Sequence, residues 1–366
     1  MSELLEATLQ HLRALVACDT RNPPRAIGSG GIFDYLRAQL PGFDLTLRDY
    51  GAGAVTLHAQ RGRPRLLFNV HLDTVPDSPH WSADPLALRV TDDRAVGLGA
   101  CDIKGAAAAL LAAAQATEGD LALLFSTDEE ANDARCIAGF LAQAPRCEAV
   151  IVAEPTRGEA VLAHRGISSV LLRFAGTAGH ASAQQRADSS ALHQAVRWCG
   201  HALDYAQAQG HERFAGLTGL RFNIGRIEGG IKANVIAPTA EVRCGFRPLP
   251  SMDHAAILAR LRALAEPPPA HFEELFHGAP LPAGDSATAE ERRLAARDLA
   301  DRLALPIGNA VDFWTEAALF SQAGFPALVF GPGDIAQAHS ADEWVALDQL
   351  ARYAGHAHRI LDSELA

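Results

Sequence analysis

Three consecutive acids, Asp128-Glu129-Glu130, close the strand-like run Leu121-Ala-Leu-Leu-Phe125 after a two-residue polar step. Taken alone, such a stretch is most often a solvated turn whose acids favour the start of the next helix. It is not alone. Leu66-Leu-Phe68 and Val70 lead to His71-Leu-Asp73, and Ala149-Val-Ile-Val-Ala153 leads to Glu154. Ala327-Leu-Val-Phe330 leads through Gly331-Pro-Gly333 to His339, and the glycine-rich Gly97-Leu-Gly-Ala-Cys-Asp-Ile-Lys-Gly105 supplies Asp102. Two imidazoles with three carboxylates and no thiolate suit borderline divalent ions, and five such groups are more than one tetrahedral catalytic zinc uses. Two ions are the economical arrangement, because three carboxylates and a hydroxide balance two divalent charges and relieve the repulsion among the acids. Such a pair lowers the pKa of a water and polarises a carbonyl, while a spare carboxylate moves the proton.

The elements that must position these groups follow from periodicity. Apolar runs of four to six residues suit strands covered on both faces, and in open α/β sheets ligands gather at the carboxyl edge of such strands. Leu5, Leu9, Leu12 and Val16 mark one amphipathic helix, and Ile32, Phe33, Leu36 and Leu40 a second that stops at Pro41-Gly42. Strands are expected at Phe43 to Leu47 and Val55 to Leu57, and a hairpin across Asp92-Asp93. An Ala-rich helix should follow Gly105, with Asp102 near its start, and a helix of about ten residues should begin at Asp133. After His164-Arg165-Gly166 the pattern changes to an alternating strand up to Phe174, a helix from Asp188 to about Gln209, strands around 220–227 and 235–247, and a helix from Asp253 that stops at Pro267. A helix near Glu290 to Leu303 precedes the last apolar strand. The fold expected is therefore α/β, a central mostly parallel sheet flanked by helices in a catalytic domain of residues 1–164 and 279–366, with an α+β domain inserted at 165–278.

Composition narrows the function classes. A 366-residue chain with 48% hydrophobic residues is long enough for two cores. A net charge of −11 without a cluster of Lys and Arg argues against nucleic acid or an anionic membrane as partner and suits small molecules and metal cations. Six scattered cysteines form no C-x-x-C pair and no secretory leader is recognisable, which points to the reducing cytoplasm. The longest Ala/Leu-rich run, 105–116, falls short of the roughly 20 residues that span a bilayer. Gly97-x-Gly99 lacks the third glycine of a dinucleotide fingerprint, and neither a G-x-S-x-G elbow nor an H-E-x-x-H helix occurs. Cys101 reads as a small packed residue, while His58, His80 and His164 carry no assignment.

Six segments in order, Asn69-Val-His-Leu-Asp73, Gly99-Ala-Cys-Asp-Ile-Lys-Gly105, Ser126-Thr-Asp-Glu-Glu130, Ala153-Glu-Pro155, Gly229-Gly-Ile-Lys-Ala-Asn234 and Gly331-Pro-Gly-Asp-Ile-Ala-Gln-Ala-His339, give the chain a resemblance over essentially its whole length. It resembles the metallopeptidase family that includes acetylornithine deacetylase, aminoacylases and succinyl-diaminopimelate desuccinylase. That resemblance implies two divalent ions, zinc or cobalt, with His71 and Glu154 on one, Glu130 and His339 on the other, and Asp102 bridging. It further implies Glu129 as the general acid/base, Asp73 as the acceptor that orients the His71 ring, and the inserted domain as a lid and dimerisation element. Within that element His180, in Gly179-His-Ala-Ser182, would stabilise the oxyanion, and Asn234 and Arg247 would contact substrate. Ile103 stands where the family often has methionine, and no proline lies near Ala181-Ser182.

The activity implied is removal of acetate from an N-acetyl amino acid in arginine biosynthesis. N-Acetyl-L-citrulline is expected first, and N-acetylornithine or another acyl amino acid or dipeptide is the alternative. A catalytically silent binding protein on the same scaffold is the reading from a different class. Arg165, Lys232 and Asp312 are candidates for contact with the substrate's side chain.

Overall fold

Leu121–Ser126 forms a strand with all six side chains buried, and so does Leu66–His71. Ala149–Val152 and Ala327–Val329 are buried over their whole length as well. These runs lack a polar face because they sit inside a six-stranded sheet in the spatial order Asp44–Asp49, Val55–Arg61, Leu121–Ser126, Leu66–His71, Ala149–Val152, Ala327–Val329. The first two strands pair antiparallel and the last four run parallel, as expected for the central sheet. Each fully buried Leu, Val or Phe in these strands contributes about 1.5–3 kcal/mol relative to exposure. That gain allows the strands' carboxyl ends to carry groups that the fold alone would not favour.

The computed structural model describes residues 2–182 and 189–363. The chain forms two units: Met1–Leu162, Arg292–Gly308 and Thr315–Ala366 in the first, and Ala163–Glu291 with Asn309–Trp314 in the second. In the first unit, helices Glu3–Val16, Lys104–Gln115 and Leu347–Leu361 pack together, and the small side chains of Ala106 to Ala109 let the buried middle helix come close to its neighbours. Gly105 is required there, since a Cβ would lie 2.5 Å from the Ala100 carbonyl oxygen. Arg135–Leu141 and Ala317–Gln322 form a further pair, with Phe140 edge-on to Phe320. The helix after Asp133 is shorter than the expected ten residues. The N-cap is Ala134, and the Asp133 carboxylate before it accepts from the N–H groups of Ala134 and Arg135, the first amides at that end, while Asn132 takes a left-handed φ of 51°. Arg89–Val90 and Arg94–Val96 form the expected hairpin, extended by Trp344–Ala346.

The second unit holds a four-stranded antiparallel sheet in the order Arg221–Gly229, Thr239–Arg247, Ile167–Ala175, His271–Gly278. Helices Ala191–Ala208 and His254–Ala263 cover one face, with Trp198, Phe174, Val242, Phe246 and Leu261 in its core. The first of these helices is capped by Ser190, whose hydroxyl accepts from the His193 N–H; the start expected at Asp188 lies outside the described residues. Among the described residues no helix is long and apolar enough to cross a membrane.

Candidate metal centre

Parallel pairing fixes which side chains meet. His71 lies opposite Ser126, and Asn69 opposite Val152, so His71, the Asp128–Glu130 turn and Glu154 leave adjacent strands at one edge. The return loop from Ala327–Val329 passes directly over Glu154. A Cβ on Gly331 would lie 2.4 Å from the Glu154 carbonyl oxygen, so only glycine permits the crossing. His339 follows a 3-10 turn at Ile335–Gln337 and adopts φ 57°, a left-handed conformation uncommon outside glycine that asparagine, aspartate and histidine adopt more often than other side chains.

Asp102 stands at the middle of the resulting cluster. Its Oδ1 is 3.1 Å from His71 Nε2, and its Oδ2 is 3.3 Å from His339 Nε2. Glu154 Oε1 lies 3.8 Å from His71 Nε2, and Glu130 Oε1 lies 3.0 Å from His339 Nε2. Two groups result, His71–Asp102–Glu154 and Asp102–Glu130–His339, which share Asp102. Donor atoms bound about 2.0–2.1 Å from one tetrahedral zinc are about 3.3 Å apart, which is the spacing found here. Glu154 Oε1 is buried without a hydrogen-bond donor among the described residues, as suits an oxygen reserved for a cation. The residues therefore fit two divalent ions that share a carboxylate.

The His71 ring is held at its other nitrogen. Nδ1 lies 3.0 Å from the Asp73 carbonyl oxygen and 3.4 Å from the Asp73 carboxylate, so the main chain is the nearer acceptor. Donation from Nδ1 leaves the Nε2 lone pair facing the cluster. The Asp73 carboxylate instead joins strand ends, its Oδ2 accepting from the Glu130 N–H at 3.0 Å and from the Asn22 side chain at 3.3 Å.

Electrostatics show how strongly this cluster calls for positive charge. Burial opposes ionisation of Asp102, but hydrogen bonds from His339 and His71 outweigh it and hold the carboxyl below its ordinary value. Hydrogen bonds to Asp102 and Glu130 push the half-exposed His339 imidazolium up to about 10. Burial alone would lower His71, yet Asp102, Asp73 and Glu154 raise it well above the usual range. Burial, with repulsion from neighbouring acids, drives Glu129 and Glu154 well up, and raises Glu130 despite its bond to His339. Each buried ion costs several kcal/mol unless it is compensated, so the acids take up either protons or cations. Among the described residues the Glu129 carboxylate has no recorded hydrogen-bond partner, unlike that of Glu130. Unlike Glu154, which also lacks a hydrogen-bond donor, it enters neither group of converging ligand atoms.

Buried groups beyond the expected set support the cluster. Glu316 accepts from the Ser126 hydroxyl at 2.8 Å, and burial together with the charge of Asp128 pushes it up to about 8. Asp128 accepts from the Cys136 N–H at 2.9 Å and is pushed up by burial to about 6. An acid inside the mostly apolar Phe313-Trp-Thr-Glu-Ala-Ala-Leu-Phe320 was a readable signal for Glu316. Burial pushes Glu343 up to about 8, while the N–H groups of Asp102, Gly99 and Cys101 favour its anion. The Cys101 thiol donates to the Asp334 carbonyl and is pushed up by burial, which agrees with a packed residue.

His180, Asn234 and Arg247 belong to the second unit. The Ala181 N–H bonds to the Asn234 carbonyl, and the His180 Nδ1 lies 2.7 Å from the Ser182 hydroxyl. Arg247 ends its strand opposite Arg221. Arg165 does not have free donors for a ligand: it is fully buried, pairs with Asp312, and donates to the carbonyls of Gly219 and Thr218. Lys232 is exposed. A third group of metal-binding residue types, His254, Glu274 and His277, lies in the same unit. Its two imidazoles stack 3.7 Å apart at 5°, so their in-plane lone pairs do not converge on one ion.

The chain is 68% identical over 363 residues to the N-acetyl-L-citrulline deacetylase of Xanthomonas campestris pv. campestris, with 99% of each chain covered. It is 32% identical to the acetylornithine deacetylase of Edwardsiella ictaluri, over 82% of this chain and 78% of that one. Among solved structures it is similar to an M20 family metallo-carboxypeptidase from Sulfolobus solfataricus, with TM-score 0.72 and 16% identity over 99% of both chains. It is also similar to a dinuclear metal binding peptidase from the M20 family of Bacillus subtilis, with TM-score 0.65 and 15% identity over 98% and 97% of the two chains. A profile of the peptidase family M20/M25/M40 matches residues 67–363, and with the near-full-length likeness to the Xanthomonas protein it places this chain in that family.

Proposed function

We propose that this chain is a metal-dependent amidohydrolase that removes acetate from N-acetyl-L-citrulline, in preference to N-acetylornithine, as a cytoplasmic step of arginine biosynthesis. The observation that carries the chemistry is Asp102 shared by two histidine–carboxylate groups, with Glu129 in neither group but within reach of the charges of His71, Glu130 and Asp102. The substrate follows from the 68% identity to a protein of that name over nearly all of both chains.

His71, Asp102 and Glu154 would hold one ion and Asp102, Glu130 and His339 the other, zinc or cobalt, with Asp73 keeping the His71 ring and the Glu130 backbone in place. Bound there, such ions supply Lewis acidity and lower the pKa of water. Glu129 removes a proton from the attacking water as its oxygen bonds to the amide carbon. The same carboxyl then delivers that proton to the nitrogen as the C–N bond breaks, which releases acetate and a free α-amino group. Burial raises this carboxyl above its ordinary value, the direction in which a carboxylate becomes a better proton acceptor. His180 would stabilise the developing oxyanion. Asn234 and Arg247 would contact the substrate, Arg247 through a bidentate pair with its α-carboxylate.

The second unit is the proposed lid and dimerisation element, at first approximation residues 165–278. Its helix Ala191–Ala208 leaves Val196 59% and Leu203 50% exposed, seven residues apart on one face, beside the edge strand Arg221–Gly229. An open edge next to an apolar stripe supports a homodimer.

Citrulline ends in a neutral ureido group and ornithine in an ammonium, so a site built for one leaves buried polar groups unpaired with the other. Competition kinetics with both acetylated amino acids, at one pH and one metal loading, should favour N-acetylcitrulline by ~10-fold or more in kcat/KM. Equal rates, or a preference for N-acetylornithine, would overturn the substrate assignment and leave the deacetylase chemistry standing.

A further inference from the structure

The glycine-rich loop that carries Asp102 has few backbone partners of its own near the carboxylate, and one buried side chain takes their place. Glu343 is 2% exposed. Its Oε1 accepts from the N–H groups of Cys101 at 2.8 Å and Asp102 at 2.9 Å, and its Oε2 accepts from the Gly99 N–H at 3.0 Å. Its backbone carbonyl accepts from the Gly97 N–H at 3.0 Å. Four N–H groups of one six-residue turn therefore end on a single residue. Glu343 also lies four residues after His339 and immediately precedes Trp344–Ala346, the strand that pairs with Arg94–Val96.

We propose that Glu343 is a positioning residue which sets the Asp102 carboxylate between His71 and His339. The inference rests on the reading of Asp102 as the shared ligand of two ions. Among common side chains a carboxylate is the one that accepts from three converging N–H donors with both oxygens, and those three bonds favour its anion against the cost of burial. Glutamine has the same shape but offers one oxygen, and its NH2 would face an N–H it cannot bind. The geometry also ties two distant parts of the chain together, since one segment carries the ligand His339 and fixes the backbone of the ligand Asp102. Groups that orient metal ligands in this way typically change metal affinity by ~10–100-fold when removed.

Hydrogen exchange resolved to single amides, on metal-free protein, together with zinc titration, tests this. In the wild type the amides of Gly99, Cys101 and Asp102 should be strongly protected although among the described residues no backbone carbonyl accepts from them; free exchange at all three would overturn the proposal without any variant. Glu343→Gln should speed exchange at these three amides by at least ~10-fold, leave Leu67 to Val70 unchanged, and weaken zinc binding by ~10–100-fold. Glu343→Asp keeps two anionic oxygens and should recover part of the affinity, which a loss of bulk packing would not explain. A folded Glu343→Gln with wild-type exchange and zinc affinity refutes the role. If wild type itself binds no zinc or cobalt, the two-ion reading fails, and the exchange data still decide whether Glu343 holds the loop. If Glu343→Gln does not fold, the wild-type protection and Glu343→Asp decide.

Discussion

Replacing Gly331 by alanine probes the site through its backbone without touching any proposed ligand. A Cβ at this position would sit 2.4 Å from the Glu154 carbonyl oxygen and 2.9 Å from its nitrogen, where ordinary contact begins near 3.4 Å. Both contacts are with main chain, so no rotamer change relieves them, and one strand end must retreat by about 1 Å. Metal–ligand distances tolerate about 0.2 Å, so a shift of that size at Glu154 removes it as a ligand. Overpacking of this kind costs about 1–3 kcal/mol, which a domain stable by about 5–15 kcal/mol survives. Gly331→Ala is therefore expected to fold and to lose the ion of His71–Asp102–Glu154, while the Asp102–Glu130–His339 group keeps its own. Elemental analysis after dialysis against buffered zinc should give one ion per chain where the wild type gives two, with a modest fall in Tm. Folded Gly331→Ala that binds two ions with wild-type affinity would refute the steric argument.

Glu129→Gln should retain both ions while kcat falls by ~100-fold or more, the usual scale for a general acid/base; a defect explained wholly by lost metal would make Glu129 a ligand. Chelation should abolish turnover and zinc or cobalt should restore it, and full activity of verified metal-free protein would contradict the two-ion reading. His164 is fully buried, and burial pushes it down from 6.5 to about 4. The unfolded chain therefore takes up this proton first as pH falls, and stability is lost from about pH 6.5 down to about pH 4, by about 3 kcal/mol in total. Because other buried groups titrate in the same range, the test compares denaturant unfolding of wild type and His164→Gln from pH 7 to 4: the variant should lack this slope, and equal slopes would refute the account.

Much of the centre was legible because parallel strands announce themselves twice, by runs with no polar face and by the abrupt polar residues at their carboxyl ends. His71, Glu130 and Glu154 could be placed on that basis, Asp102 by the glycine-rich loop ahead of the Ala-rich helix, and His339 by the turn at Gly331-Pro-Gly333. What escaped lacks a period. Glu343 belongs to a loop whose partners are backbone N–H groups, which leave no trace in side-chain pattern. The Asp73 carboxylate was expected to orient His71, but spacing alone could not show that the carbonyl of the same residue lies closer. Arg165, considered for substrate contact, spends its donors on the turn at Thr218 and Gly219, which no local motif reveals. The strand His271–Gly278 went unread because Pro267-Pro-Pro269 and several charged residues masked its alternation.

The Glu130–His339 contact joins residues 209 positions apart, and Val329 pairs with Val152 across the whole second unit. During synthesis, His71, Asp102, Glu130 and Glu154 emerge long before the strand and loop that complete them. Until residue 339 is available, the growing chain carries an acid cluster short of one imidazole and a sheet whose Ala149–Val152 strand lacks its outer neighbour. Bare strand edges invite pairing with other chains. A prematurely ended product would thus combine unbalanced charge with an aggregation-prone edge.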